Sequence, residues 1–199
     1  MKRFPILALL LSACSYVTPS PNPSTDEGAW AEARDAATRT YKLYNVLDDV
    51  AFATATYQSP AVRTARIDRM GQWKGMLPGE KETALARERA EAAEGEDFLL
   101  AFFSEDRRAN DLATDHGTWR VAIVVDGKEQ ALPSKVTLVK RDPTLQALYP
   151  YITDFDTLYR VRFPKYPGPR ALAELPFQLR IAGALGVLDL AYLPPAPRP

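Results

Sequence analysis

The stretch FLLAFF, residues 98–103, consists of six consecutive apolar residues with Asp97 before it and Ser104 after it. A short apolar run between polar residues is typical of a strand that is buried on both faces. Before this run the sequence favours helices, whereas after it short strands and turn signals dominate. The change of character at residue 97 is the basis of our fold prediction.

Several short segments after residue 103 alternate between apolar and polar side chains. Residues 119–125 place a tryptophan and three branched apolar residues on one side, and Asp126-Gly127 is a hairpin turn signal. Further strands are predicted at residues 135–140, 159–163, 177–181 and 187–193, with a turn at Gly183–Gly186. Six or seven such strands resemble an immunoglobulin-like or related β-sandwich in architecture, without the paired cysteines of antibody domains.

The region before residue 95 favours helices. Ser59-Pro60 is a start signal for one helix, which Pro78-Gly79 interrupts. Residues 80–93 are rich in Ala, Glu and Arg and predict an exposed helix that ends at Gly95. An earlier amphipathic helix is predicted from six residues at helical spacing, namely Ala37, Tyr41, Tyr44, Leu47, Ala51 and Ala55.

The first fourteen residues have the features of an export signal. Lys2 and Arg3 precede an apolar run from Phe4 to Leu11, which small residues follow. A basic start, a short apolar core and small residues before a cleavage site are typical of a secretory signal peptide. The apolar run is much shorter than the about 20 residues that a membrane-spanning helix needs.

The sequence Leu11-Ser12-Ala13-Cys14 resembles the lipobox of bacterial lipoproteins. In that class the cysteine sulfur receives a diacylglycerol, the peptide is cut before the cysteine, and the new amino terminus is usually acylated, for example with palmitate. The resemblance implies that Cys14 is the lipid attachment residue and that Leu11, Ser12 and Ala13 form the signal peptidase motif. It covers these fourteen residues and implies no activity. The alternative is an ordinary secretory signal with a chance cysteine.

The residues after Cys14 predict how the protein is held in the cell envelope. In Gram-negative lipoproteins, an aspartate directly after the lipid-bearing cysteine tends to retain the protein at the inner membrane. Residue 15 of this chain is a serine, so the resemblance implies a location at the outer membrane. Residues 15–29 are polar and rich in Pro and Ser, which is typical of a tether. Fully extended, they would span about 50 Å.

The predicted fold class is α+β, with an N-terminal helical segment of two or three helices followed by an antiparallel β-sandwich-like domain of six to seven strands. The predicted organisation is a signal peptide at residues 1–13, the lipidated N-terminus and tether at 14–29, a helical region at 30–95, the β-sandwich-like domain at 96–193 and a proline-rich tail at 194–199. Whether the helical and β regions form one domain or two stays open.

Composition excludes some classes of function. The chain has 25 basic and 25 acidic residues, and removal of Lys2 and Arg3 with the signal peptide leaves a formal charge of −2. This balance is not typical of a protein that binds nucleic acid, which usually carries a strongly basic patch. Because Cys14 is the only cysteine, the mature domain cannot form an internal disulfide and depends on its core for stability.

The polar loop of residues 104–117 is the candidate ligand site. Its carboxylate and amide oxygens suit calcium, but their spacing does not match an EF-hand, and a solvated connecting loop is the simpler interpretation. The chain's single histidine lies here, so a Ser-His-Asp site would have to use it with Ser104 or Ser134. The possible ligand residues are Glu105, Asp106, Asn110, Asp111, Asp115 and His116.

The sequence predicts a lipid-anchored cell-envelope protein that acts without catalysis, as a protein-interaction, accessory or structural component. We predict no catalytic residues, no metal site and no cofactor other than the covalent lipid on Cys14. The expected partners are the lipid bilayer, through the acylated N-terminus, and an envelope protein, but not nucleic acid. The alternative is a lipoprotein that uses residues 104–117 to bind a small ligand or calcium, or, less favoured, to hydrolyse a substrate.

Replacing the predicted lipid-bearing residue tests the anchor. Cells grown on radiolabelled palmitate should label the wild-type protein, and a Cys14→Ser variant should lose the label because it has no thiol to form the thioether. Label that persists in the variant would contradict lipidation at this residue.

Overall fold

A computed structural model of the chain describes residues 28–46, 48–114 and 116–194. These residues form four α-helices and nine strands. The helices are α1 (Gly28–Ala36), α2 (Pro60–Lys74), α3 (Pro78–Glu94) and α4 (Pro143–Leu148). The strands are β1 (Thr38–Asn45), β2 (Asp48–Tyr57), β3 (Gly95–Ser104), β4 (Trp119–Val125), β5 (Lys128–Ala131), β6 (Lys135–Leu138), β7 (Thr157–Pro164), β8 (Phe177–Gly183) and β9 (Gly186–Tyr192).

The strands form two antiparallel sheets that enclose a hydrophobic core. The larger sheet has the order β1-β2-β3-β7-β6, and the smaller sheet has the order β5-β4-β8-β9. On one side of the sandwich, β1 and β9 approach each other, and Arg39 Nε donates to Ala191 O at 2.9 Å. On the other side, the edge strands β5 and β6 are four residues each.

A second core lies on the outer face of the larger sheet, where the helices pack. It joins Leu99 and Ala101 of β3 to Val62 of α2, Trp30 of α1 and Tyr149 after α4. The N-terminal helix is fixed there by a hydrogen bond from Trp30 Nε1 to Leu148 O at 3.2 Å. The molecule thus has three layers, in which the larger sheet lies between the helices and the smaller sheet.

The central strand β3 contacts both cores. Phe98, Leu100 and Phe102 point between the sheets, whereas Leu99 and Ala101 point toward the helices. All five side chains are at most 8% exposed. The prediction of a strand at residues 98–103 that is buried on both faces is therefore confirmed.

The predicted arrangement of an N-terminal helical segment followed by a sandwich of six to seven strands is wrong, although the mixed α+β class agrees with the structure. Residues 38–46 and 48–57 form the hairpin β1–β2, and among the described residues before it Gly28–Ala36 is the one helix. The helices α2 and α3 are inserted between β2 and β3, so strands of one sheet lie on both sides of them in sequence.

The error has a physical cause in the alanines of β2. Ala51 and Ala55 are four residues apart, and a spacing of four satisfies a strand of period two as well as a helix. Ala53 lies between them, and all three alanines are 0% exposed. The register pairs Ala53 with Phe102 and Ala55 with Leu100, so small side chains accommodate the large ones of β3.

Local start and turn signals in the sequence are confirmed. Ser59 caps α2, since its Oγ accepts a hydrogen bond from Val62 N at 3.3 Å. Asp126 and Gly127 both have positive φ angles, 50° and 74°, in the two-residue turn between β4 and β5. Such angles at both positions are typical of a type I′ hairpin.

The predicted signal peptide, Cys14 and the tether up to residue 27 lie outside the described residues, as does the proline-rich tail after Pro194. Among the residues that the structure describes, no helix combines the length and the apolar character needed to cross a bilayer.

Two matched leucine substitutions test the role of β3. Leu100 is 0% exposed between the sheets, whereas Leu138 on β6 is 62% exposed. Leu100→Ala should lower the free energy of unfolding by about 2–5 kcal/mol, because it removes buried methyl groups and leaves a cavity. Leu138→Ala should change it by less than about 0.5 kcal/mol. Urea unfolding followed by tryptophan fluorescence measures both, and equal effects would contradict the assigned burial.

Candidate functional site

Three connections meet at one end of the sandwich, which we call the loop end. They are the β1–β2 turn, the long β3–β4 connection and the β8–β9 turn. Together with the adjoining strand ends, their described residues are 44–46, 48, 104–114, 116–118 and 183–186. Loops that a rigid sandwich holds at one end are a common place for binding residues.

Backbone contacts show that these connections are neighbours. Glu105 N, at the start of the long connection, donates to Val50 O at 3.2 Å. Trp119, at its end, pairs with Gly183. Gly186 has φ +143°, a conformation that favours glycine, and a Cβ there would lie 2.6 Å from Leu43 Cδ2, so the β8–β9 turn approaches β1 closely.

A row of aromatic rings leads to the loop end along the outer face of the larger sheet. The ring centroids of Tyr44 and Phe52 are 5.7 Å apart, and those of Phe52 and Phe103 are 5.6 Å apart. The ammonium group of Lys42 lies 5.3 Å from the centre of the Phe52 ring. Phe52 and Phe103 are half-buried, and Tyr44 is 53% exposed.

Val46, at the tip of the β1–β2 turn, combines exposure with an uncommon backbone conformation. Its side chain is 92% exposed, and its φ angle is +59°. A β-branched residue in the left-handed region is strained by about 1–3 kcal/mol. Leu185, in the β8–β9 turn, is also 47% exposed, so apolar side chains project from two of the three connections.

The structure uses two of the six predicted ligand side chains of the long connection for local structure. Asp106 caps a short 3-10 turn by accepting from Arg108 N at 3.0 Å. Asp111 Oδ2 accepts from Thr118 N and Thr118 Oγ1 at 2.8 and 2.9 Å. Glu105 and His116 are exposed, and Asp115 lies outside the described residues.

The remaining ligand residue, Asn110, contacts the sandwich through its backbone. Tyr159 Oη donates to Asn110 O at 2.7 Å, and burial, together with the charge of Asp111, raises the pKa of Tyr159 to about 12. Asn110 Oδ1 and Asp111 Oδ1 are buried without a hydrogen-bond partner. In the described part of the chain, no three or more His, Cys, Asp or Glu side chains are grouped to hold a metal ion.

The serines considered for a catalytic site also have structural positions. Ser104 is 1% exposed, and its Oγ donates to Val50 O at 3.5 Å. Ser134 is exposed and donates to Arg162 O at 3.2 Å. Within the described residues, His116 makes no hydrogen bond to either serine.

A second feature, which we call the cleft, lies between the α2–α3 hairpin and the α4 segment. It has a volume of about 650 Å³, and β3 and β7 contribute to its floor. Four residues of α2 at successive turns form one wall, namely Arg63, Ile67, Met70 and Lys74. Val139, Leu145 and Leu148 line the opposite wall.

One end of the cleft is closed by an ion-pair network around Asp97. This carboxylate is 1% exposed and accepts from the guanidinium groups of Arg63, Arg160 and Arg162. Arg162 Nε donates to Asp97 Oδ1 and Arg162 Nη2 donates to Asp97 Oδ2, both at 2.9 Å, which is a bidentate arrangement. Burial alone would raise the pKa of Asp97, but the hydrogen bonds from Arg162 and Arg160 outweigh it and hold the pKa far below its usual range.

Two glutamates of α3 extend the network to the helices. Glu91 Oε2 lies 2.5 Å from Arg160 Nη2, and Glu88 Oε2 lies 2.8 Å from Arg63 Nη1 and 2.7 Å from Arg66 Nη2. Hydrogen bonds from Arg160 lower the pKa of Glu91. The network therefore joins α2, α3, β3 and β7 and leaves these carboxylates engaged.

Sequence reasoning missed this network. It placed Asp97 only as the polar residue before the apolar run, and it predicted a strand at residues 159–163 without identifying a partner for Arg160 or Arg162. Two arginines two residues apart on a strand share a face, and this spacing could have suggested a common acidic partner. No sequence signal identified which carboxylate that partner is.

Comparisons of the chain with protein-family models, with curated proteins and with solved structures give no match.

Neutralising Asp97 tests the importance of the network. Asp97→Asn should lower the free energy of unfolding by about 3 kcal/mol at pH 7, because three arginines lose a buried partner. The control is Asp154→Asn, whose carboxylate is 85% exposed and pairs with Arg141, and it should cost less than about 1 kcal/mol. Chemical unfolding measures both values, and equal losses would contradict the assignment.

The same pair of variants has an expected pH dependence. Since the pKa of Asp97 is lower in the folded than in the unfolded state, its stabilisation is fully present above the unfolded value of about 3.9. It is lost as the pH falls below that value toward the folded pKa. Wild type and Asp154→Asn should therefore lose stability in acid more steeply than Asp97→Asn, as unfolding curves between pH 7 and pH 2 would show.

Proposed function

We propose that the chain is a lipid-anchored, non-enzymatic component of the cell envelope that binds a protein partner through its loop end. The observation that carries the proposal is the set of exposed apolar side chains on two adjacent connections, Tyr44, Val46 and Leu185. Exposed apolar side chains that lie together mark interaction sites, and tyrosine is enriched in protein interfaces.

Charge at the loop end favours a protein over a lipid surface as the partner. Asp48 and Asp49 lie two and three residues after Val46, and Glu105 and Asp106 start the neighbouring connection, where Arg107 and Arg108 follow; all six are exposed, so carboxylates outnumber the basic groups. Carboxylates next to the apolar tip oppose its insertion among acidic headgroups. A protein surface with an apolar pocket and basic rim would complement the same groups.

The anchor part of the proposal rests on the lipobox-like sequence that ends in Cys14, and the outer-membrane location rests on Ser15. The position of the loop end is compatible with both. The chain enters the sandwich at Thr38, the first residue of β1, whereas the loop end begins at Tyr44 near the end of that strand. Eight residues of strand span about 26 Å, so a partner could reach the loop end clear of the entering chain.

The state of the buried carboxylates supports a binding role over catalysis. A general base needs a pKa near the working pH. Hydrogen-bonded arginines instead lower the pKa values of Asp97 and Glu91. These groups are suited to hold the helices on the sheet.

Site-specific photocrosslinking tests the partner surface. The photoreactive amino acid p-benzoylphenylalanine at position 44 should crosslink a defined envelope protein in intact cells, because this side chain lies in the proposed interface. The same amino acid at position 193, which is also exposed but follows β9 at the opposite end of the sandwich, should not. Identical crosslinks from both positions, or none from position 44, would contradict the proposal.

A Val46→Gly variant separates binding from folding. Glycine removes the exposed side chain and accepts the positive φ angle, while it adds entropy to the unfolded chain, so stability should change by less than about 1 kcal/mol. Crosslinking from position 44 should nevertheless fall at least fivefold. Full crosslinking in a variant that melts like wild type would exclude Val46 from the interface.

A further inference from the structure

The cleft combines an apolar channel with arginine–carboxylate ion pairs at its inner end. Along α2, the side chains at positions 63, 67, 70 and 74 lie on one face and cover about 16 Å of the helix axis. Ile67 and Met70 form the middle of this wall. Met70, Val139 and Leu145 are each partly exposed, so apolar surface remains accessible in the cleft.

The two ends of this wall differ in charge. At the inner end, Arg63 is 3% exposed and is held by Asp97 and Glu88. At the outer end, Lys74 is exposed and has no salt-bridge partner within residues 28–46, 48–114 and 116–194. An anion at the outer end would thus meet an ammonium group that is not already neutralised.

The carboxylates of the cleft are paired or hydrogen-bonded with groups other than Lys74. Glu88 and Glu91 are paired with arginines at the inner end. Asp142 accepts a hydrogen bond from Leu145 N at 2.8 Å as the cap of α4. The lining as a whole carries five cationic and four carboxylate side chains.

We propose that the cleft binds a single-chain amphiphile with an anionic headgroup. The alkyl chain lies along Ile67 and Met70 against Leu145, and the headgroup lies at Lys74. The volume of about 650 Å³ is within the usual range for small-ligand sites. An alkyl chain fits the middle of the cleft because it requires no hydrogen bonds from apolar walls, and methionine adapts its shape to such chains.

The test uses dodecyl phosphate as the probe, below its critical micelle concentration, and isothermal titration calorimetry as the measurement. The protein is the full chain with Cys14→Ser, so that no covalent acyl chain competes. One molecule should bind per chain, and dodecyltrimethylammonium, which has the same alkyl chain and a positive headgroup, should bind at least tenfold more weakly. Equal affinity for the two amphiphiles, or no saturable binding, would overturn the proposal.

Two variants locate the binding site. Lys74→Glu should weaken dodecyl phosphate binding at least fivefold, whereas the matched charge reversal Lys128→Glu, on exposed β5 in the other sheet, should leave it unchanged. Met70→Gln keeps side-chain length and charge but should weaken binding at least threefold, since it places an amide against the alkyl chain. Unchanged binding in Lys74→Glu and Met70→Gln would place any amphiphile site elsewhere.

A further comparison distinguishes this site from the protein-binding surface. The Val46→Gly variant changes the loop end and leaves the cleft residues intact, so it should bind dodecyl phosphate with wild-type affinity. Lys74→Glu should in turn retain crosslinking from position 44. Weakened amphiphile binding in Val46→Gly would contradict the assignment of the ligand to the cleft.

Discussion

The burial of β3 on both faces is the constraint on which the rest of the structure depends. Phe98, Leu100 and Phe102 require a second sheet on one side, and Leu99 and Ala101 require helices on the other. A strand of this kind is stable only inside three layers. In this chain α2, which lies between β2 and β3 in sequence, covers the outer face together with α1, while β2 and β7 pair with the two edges of β3.

The fold could be predicted from sequence where a signal has a single structural meaning. The apolar run of β3, the Ser59 cap and the Asp126-Gly127 turn are such signals, and each identified its element. The hairpin β1–β2 was not predicted, because the spacing of Ala51 and Ala55 fits both a helix and a strand. Only their pairing with Leu100 and its neighbours across the sheet decides between the two. That pairing joins residues about fifty positions apart, which no local window contains.

The candidate sites were less accessible to sequence reasoning than the fold. The long connection was correctly assigned as a polar loop, but the carboxylate of Asp106 caps a short 3-10 turn there and that of Asp111 accepts hydrogen bonds from Thr118. The cleft depends on α2 and α4, which are about seventy residues apart and meet only through the outer face of the larger sheet. Ion pairs between residues so far apart leave no pattern in a single sequence. Asp97 was therefore interpreted only as the polar residue before a buried strand.

The short edge strands β5 and β6 have a consequence for molecules that share a surface. Each has four residues and begins with a lysine, Lys128 or Lys135. Brevity and lysine are means by which natural sheets prevent strands of neighbouring molecules from adding to an open edge. On its other side the sandwich is closed by the contact between Arg39 and Ala191. Copies crowded in two dimensions would therefore resist polymerisation through their sheets.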